Sequence, residues 1–235
     1  MASKLVNAAL MAAYRRGFEI RRHPAVRRQR MFAARGVDLV LDVGAATGLF
    51  GKELRQFGYT GRIVSFEPMA ASFATLRERA QGDTLWDVRN VALGDEAGEA
   101  SINVASNRDS SSLLPMEHAH TDAEPGVTYV GQEVIRVERL DDIAGELIGD
   151  AGKVFLKLDT QGFERNVLAG GKETLDRLVG LQLELSFVPL YSGGMLVDEA
   201  ISMAYGAGFQ LEVIEQGWAA PSGQMLQADG IFFRS

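Results

Sequence analysis

The sequence predicts an α/β protein built on a doubly wound, mostly parallel sheet. Three observations lead there. Apolar runs and helical repeats alternate from residue 39 onward, as βα units do. The run Leu39-Val-Leu-Asp-Val43 lacks the polar alternation of a half-solvated strand, so it reads as a strand buried on both faces. It then enters a Gly-rich turn, Gly44-Ala-Ala-Thr-Gly48, at the carboxyl end where open α/β sheets bind ligands.

The elements follow in order. Residues 3–20 place Leu5, Val6, Ala9, Leu10, Ala13 and Tyr14 at helical spacing, an amphipathic helix. A basic segment follows, with Arg21, Arg22, Arg27, Arg28 and Arg30 around Pro24. Residues 1–36 hold nine Lys/Arg against one acid, Glu19, a balance of +8; the remainder holds 15 against 30, a balance of -15. The expected organisation is therefore a basic helical arm (1–36) and an acidic domain (37–235). The arm has two readings: a solvated helix packed on the body or on a second subunit, or a peripheral contact with an anionic membrane or lipid-linked substrate. A homodimer and a peripheral location are thus both expectations to carry forward.

Within the body, the pattern predicts a helix over 49–57, a strand over 62–66, a helix over 70–81 and a strand over 86–93. Residues 99–104 and 133–137 alternate and read as partners in a small extra sheet. Core strands are expected at 154–158 and 181–187, and a helix at 197–206. Two final strands at 209–215 and 225–234 should run antiparallel to each other. Residues 105–132 form one long polar, Ser-rich segment, either a cover over the site or a surface insertion.

Bulk properties narrow the function. The chain has 235 residues, with 46% hydrophobic and 23% charged, enough for one α/β domain with a large core. It has no cysteine, which excludes disulfides, thiolate metal sites and Cys nucleophiles. No apolar run approaches the roughly 18 residues of a membrane span, and the basic residues follow the first apolar stretch, unlike a signal peptide. A cytoplasmic location is expected. The acidic body argues against nucleic-acid binding, which needs a basic face.

The chemistry concentrates in three places. Asp42-x-Gly44-x-x-x-Gly48 is neither the dinucleotide fingerprint nor a P-loop, so it suits a ligand with little negative charge at the turn. A nicotinamide dehydrogenase is disfavoured on the same ground. Glu67-Pro68 ends the second strand, where an acid is placed for both hydroxyls of a ribose, although Pro68 also fits a simple helix start. Lys157-Leu-Asp-Thr-Gln-Gly-Phe-Glu164 ends another apolar strand and puts Asp159 at the same crevice, as a general base or metal ligand. Glu164 is a first-turn acid. Glu184 sits in a central strand, where burial demands a partner; close to Asp159, the pair would either raise one pKa or hold a divalent cation such as Mg2+. His118 and His120 are the histidines outside the arm, and His118 stands in reserve as a base.

These residues resemble a known family. Leu41-Asp-Val-Gly-Ala-Ala-Thr-Gly48, Phe66-Glu-Pro68, Val91-Ala-Leu-Gly-Asp95, Lys157–Glu164, Leu183-Glu-Leu185 and Asp229-Gly-Ile-Phe232 look like the FkbM-type S-adenosylmethionine-dependent methyltransferases of class I. Ser111-Ser-Leu-Leu114 is similar too, and the likeness spans roughly residues 38–234. The resemblance implies a Rossmann-like seven-stranded sheet with one antiparallel strand. It implies S-adenosylmethionine with its methionine end over Gly44, Ala45 and Gly48, its ribose on Glu67 and Pro68, and its adenine near Asn90 and Ala92. It also implies methylation of a hydroxyl on a sugar, glycolipid or natural product, with Asp159 as the base. The alternatives on this fold are an RNA or protein methyltransferase and a non-catalytic interaction protein. The first would need a basic groove or an Asn-Pro-Pro-Tyr type motif, and the sequence has neither.

Overall fold

Two helices precede the body in this computed structural model, which describes residues 2–18 and 21–234. Helix α1 (Ala2–Tyr14) ends short of the expected span; residues 19 and 20 lie outside the described residues. Its Val6, Leu10, Met11 and Tyr14 are exposed. Helix α2 (Pro24–Arg35) begins with Pro24 at its first position, where the missing N–H costs nothing, and His23 Nδ1 accepts from the Ala25 N–H. Gly36, at φ 67°, closes it. α2 is docked on the body: Ala25, Arg28 and Phe32 are buried, and the Phe32 ring packs against Phe155 and Tyr59.

The first half of the body comprises β1 (Leu39–Val43), α3 (Leu49–Gln56), β2 (Arg62–Phe66), α4 (Ala70–Ala80), β3 (Trp86–Arg89) and β4 (Ala92–Leu93). The single strand expected over 86–93 is broken. Asn90 turns its side-chain amide onto the carbonyls of Glu67 and Pro68, and the chain leaves the main sheet for a second one. That sheet is completed by β5 (Gly98–Ala105) and β6 (Tyr129–Glu138), which pair antiparallel as their alternation predicts. Between them lies α5 (His118–Ala123), inside the segment expected to be irregular.

The second half comprises α6 (Leu140–Ile148), β7 (Val154–Leu158), α7 (Glu164–Ala169), α8 (Lys172–Leu175), β8 (Leu178–Ser186), α9 (Val197–Gly206), β9 (Phe209–Gln216) and β10 (Gln227–Arg234). The main sheet has the order β3-β2-β1-β7-β8-β10-β9, and β10 alone runs antiparallel to its neighbours. Strand side chains alternate between the two faces. Leu39, Leu41 and Val43 of β1 join Leu156, Leu158, Val167 and Ala200 on one side. Val40 joins Phe32, Leu54, Leu76 and Phe155 on the other. Both faces are covered, which is why β1 and β7 are apolar throughout apart from Asp42 and Lys157. No helix among the described residues is long and apolar enough to cross a membrane.

Candidate active site

The strand order reverses at β1: β2 and β3 lie to one side of it, β7 and β8 to the other. Side by side at that switch point, the ends of β1 and β7 leave a crevice, the usual ligand position in such sheets. The turn after β1 is built by Gly44 (φ 73°) and Gly48 (φ 80°). Their freedom answers first to protein packing. A Cβ on Gly44 would run into the backbone carbonyl of Asp159, and one on Gly48 would lie 2.6 Å from Leu76 Cδ1. These close contacts, together with the positive φ, require glycine at both positions whether or not a ligand is bound.

Next to this turn is a cavity of about 280 Å³. Gly44, Ala45, Ala46 and Thr47 form its floor, Glu67, Pro68 and Met69 one wall, and Ala92, Leu93, Ile102 and Ile135 an apolar end. Arg108, Asp109, Ser111 and Leu113 line it as well, so part of the 105–132 segment covers the site. Glu67 accepts from the N–H groups of Ala46 and Met69, each at 2.9 Å. Burial pushes its pKa up to about 7 even so, with the Met69 and Ala46 donors and Lys157 opposing the shift. Three described non-glycine residues have positive φ: Ala46, Arg108 and Gln161. All three line this cavity. Backbone strain of this kind collects at functional sites.

Asp159 stands at the cavity's edge within a chain of hydrogen bonds and ion pairs. Strand register sets its core, since Asp42 lies opposite Ser65 on one side and Lys157 on the other. The Trp86 indole donates to Ser65 Oγ at 3.0 Å, and Ser65 donates to Asp42 at 2.9 Å. Lys157 Nζ lies 3.3 Å from Asp42 and 3.3 Å from Asp159, and donates to the Gly44 carbonyl at 3.1 Å. Gln161 donates to Asp159 at 2.9 Å, and Tyr191 donates to Gln161 at 2.7 Å. Burial opposes the charge on Lys157, but Asp159 and Asp42 outweigh it and hold the ammonium above the ordinary lysine range. Burial pushes Tyr191 up, so its hydroxyl stays a donor.

Against this geometry, the family description "Methyltransferase FkbM domain" matches residues 42–211. The chain belongs to the FkbM methyltransferase family. A curated relative, the 2-O-methyltransferase NoeI of Sinorhizobium fredii, is 27% identical over 161 residues, which span 66% of this chain and 66% of that protein, just under two thirds of its length. Among solved structures, an rRNA methylase from Streptococcus thermophilus is similar with a TM-score of 0.49 at 10% identity, covering 92% of this chain and 98% of that one. Magnesium protoporphyrin IX methyltransferase from Synechocystis PCC 6803, solved with bound SAM, gives 0.47 at 12% identity, covering 96% and 91%.

In this FkbM chain the sequence-predicted residues divide into those that line the cavity and those behind it. Gly44, Ala45, Glu67, Pro68, Ala92 and Asp159 line it. Asp42 does not: it is fully buried behind Lys157, because in the pleat it faces α2 and α3 while Val43 faces the opposite layer. Gly48 and Asn90 also stand behind the wall, Asn90 pinning the Glu67-Pro68 backbone. His118 opens α5, is exposed, and does not line the cavity. Its neighbour His120 is the buried one, edge-on to Tyr191 and Trp218; burial lowers its pKa, which favours the neutral ring.

The expected Asp159–Glu184 metal pair is not supported. The cation facing Asp159 is Lys157, and burial, reinforced by Asp159, Glu164 and Asp229, pushes Glu184 well above the usual carboxylate range. Among the described residues, no group of three or more His, Asp or Glu is arranged to hold a metal ion. Glu164 is instead spent locally, accepting from Thr160 N–H at 2.8 Å and Thr160 Oγ1 at 3.0 Å, which shapes the loop carrying Gln161. The motif Lys157–Glu164 does not by itself assign a role to Lys157 or Gln161. A lone charge in the strand Val154-Phe-Leu-Lys-Leu158 was the available signal, since buried lysines need partners.

Proposed function

We propose that this methyltransferase uses S-adenosylmethionine to methylate a hydroxyl group on a sugar, glycolipid or natural product. The observation that carries the proposal is Asp159: a carboxylate at the edge of the cavity, held from two sides by Lys157 and Gln161. Methyl transfer to oxygen needs the acceptor held close to the reacting carbon and its proton removed. Asp159 is suited to accept that proton, and Lys157 to fix the carboxylate's position. Asp42 acts through Lys157, as a positioning residue.

The residues present fit the cofactor. The turn of Gly44, Ala45 and Ala46 has no lysine for a phosphate, and S-adenosylmethionine has none to bind. Glu67 and Pro68 suit the ribose, and the apolar end at Ala92 and Leu93 suits the adenine. When bound there, S-adenosylmethionine supplies an electrophilic methyl group. The printed name of the NoeI relative supports transfer to oxygen. The exposed apolar side chains of α1, beside Arg15 and Arg16, support a peripheral contact with an anionic surface, from a cytoplasmic location.

The test is calorimetric titration with S-adenosylmethionine, followed by an acceptor screen with methyl-labelled cofactor over sugars, glycolipids and macrolides, with and without magnesium. One binding site and a labelled product stable to mild base, as a methyl ether is, are expected. No heat of binding, or a product that base hydrolyses, would count against it.

A further inference from the structure

A second cavity, of about 320 Å³, lies on the α2 side of the sheet. It shares a wall with the first: Leu49, Phe50, Lys157 and Asp159 line both. Asp159 is therefore presented to two chambers at once. The far side is made by the start of α2, with His23, Pro24 and Arg28, and by three strand residues, Gln182, Glu215 and Asp229.

The polar atoms here are not all used. Arg28, Gln182 and Glu215 are 4%, 3% and 7% exposed. Arg28 Nε, Gln182 Oε1 and Glu215 Oε1 have no hydrogen-bond partner and are shielded from solvent. Buried polar groups are normally paired, and groups left over call for an explanation such as a missing ligand. The unspent set mixes one N–H donor with two oxygen acceptors. A hydroxyl is the neutral group that serves both, because it donates and accepts.

Charge narrows the ligand further. Four carboxylates, Glu53, Asp159, Glu215 and Asp229, face two fixed cations in the lining, Arg28 and Lys157, and a third, the half-exposed Arg27, pairs from outside it with Glu215 Oε1 at 3.9 Å, still one positive charge short. Those cations are already engaged, Arg28 by Glu53 and Glu215, and Lys157 by Asp42 and Asp159. A phosphorylated or acidic ligand would meet surplus negative charge. The volume sits at the lower end of ligand pockets, about 300–1,000 Å³, which gives room for one ring inside it.

We propose that this second cavity is the acceptor site, that it takes a single neutral polyhydroxylated ring, and that helix α2 of the arm forms one of its walls. The proposal rests on the methyltransferase reading above and adds to it the place, the charge and the size of the acceptor. A ring seated there can bring a hydroxyl to the same Asp159 carboxylate that edges the first cavity, so acceptor and cofactor would meet at the boundary the two cavities share.

The test is saturation-transfer NMR on the full chain loaded with S-adenosylhomocysteine. The probes are methyl α-L-fucoside, methyl α-D-mannoside, methyl β-D-glucoside and, as the anionic control, glucose 1-phosphate. At least one methyl glycoside should receive transfer. Gln182→Met, which removes one unpaired acceptor, and Glu215→Gln, whose remaining oxygen stays on Arg28 and leaves an NH2 where the unpaired acceptor was, should each weaken it by about tenfold or more, the loss of one to two buried hydrogen bonds, while calorimetry shows S-adenosylhomocysteine binding retained. Two variants are used so that a folding defect in one, seen by near-ultraviolet circular dichroism, leaves the other to decide. Glycoside signals unchanged in a folded variant, no glycoside binding to the loaded protein, or binding of glucose 1-phosphate alone would overturn the acceptor site while leaving the methyltransferase reading intact. Absence of S-adenosylhomocysteine binding in the unaltered protein would overturn that reading, and this proposal with it.

Discussion

Replacing Lys157 by Met should be the most costly single change at the site. Its ammonium lies 3.3 Å from both Asp42 and Asp159 and donates to the Gly44 carbonyl. Asp42 is 0% exposed, and without Lys157 its remaining partner is the Ser65 hydroxyl. The side chain of Asp159 is 37% exposed, so water screens its share. The variant thus strands one fully buried carboxylate, and breaking a buried pair in this way costs about 3–5 kcal/mol. With a urea dependence of roughly 1–3 kcal/mol per M, the midpoint should fall by about 1–5 M. The decisive control is Asp42→Asn combined with Lys157→Met. It removes the stranded charge, keeps an acceptor for Ser65, and should recover about half or more of the loss, as coupled residues do. The pH dependence has a definite sign. A lysine whose folded pKa is raised gives stability that is complete below its unfolded value of 10.5 and is lost as pH rises through the folded one, so the pair contributes fully at neutral pH. A loss below about 1 kcal/mol, against the 3–5 expected for a broken buried pair, or a double variant no better than the single one, would refute this account.

Three further changes probe separate parts of the molecule. Asp159→Asn should lower turnover by about 10²–10⁴-fold with S-adenosylmethionine binding retained, and full activity would remove Asp159 as the base. Glu67→Gln should weaken S-adenosylhomocysteine binding and flatten its pH dependence. In the wild type, binding measured by calorimetry should tighten as pH rises through about 7 and the carboxylate ionises. The same raised pKa means that Glu67 contributes stability below 4.5 that is lost by about 7, and urea titrations of the Gln variant should lack that slope. Phe32→Ala empties a fully buried ring site between α2 and the sheet and should cost about 3–5 kcal/mol; a change under about 1 kcal/mol would make α2 a detachable arm.

Those parts of the fold that depend on local pattern were legible in the sequence. β1, β2 and β7 are short apolar runs buried on both faces, and their boundaries were read to the residue. The Gly-rich turn, Glu67 and Asp159 were visible because each ends such a run at the same edge of the sheet. Hidden features are those made by pairing across the chain. Lys157 meets Asp42 only through strand register, over a hundred residues away. Asn90 ends β3 by bonding a backbone it meets only after folding. α6 has apolar residues at helical spacing, but it is short and has Gly145 inside and Gly149 at its end. The two histidines differ in a way the sequence does not show: His118 is an exposed helix start, and its neighbour two residues on packs against Trp218. Packing of the arm on the body was one of its two readings, but the charge of α2 does not reveal that Phe32 and Arg28 are the residues it buries.

The position of β10 bears on how the chain assembles. It is inserted between β8 and β9, so β9 has no place in the main sheet until β10 is there. During synthesis β8 therefore emerges with an unpaired edge and waits while residues 187–226 are made. The β9–β10 hairpin is local and can form by itself before it docks as a unit. Docking carries Asp229 and Glu215 into position together, so the second cavity is complete only once the hairpin has joined the sheet. A ribosome stalled before residue 227 would hold a nascent chain with an open sheet edge, a prime target for chaperones and for edge-to-edge aggregation.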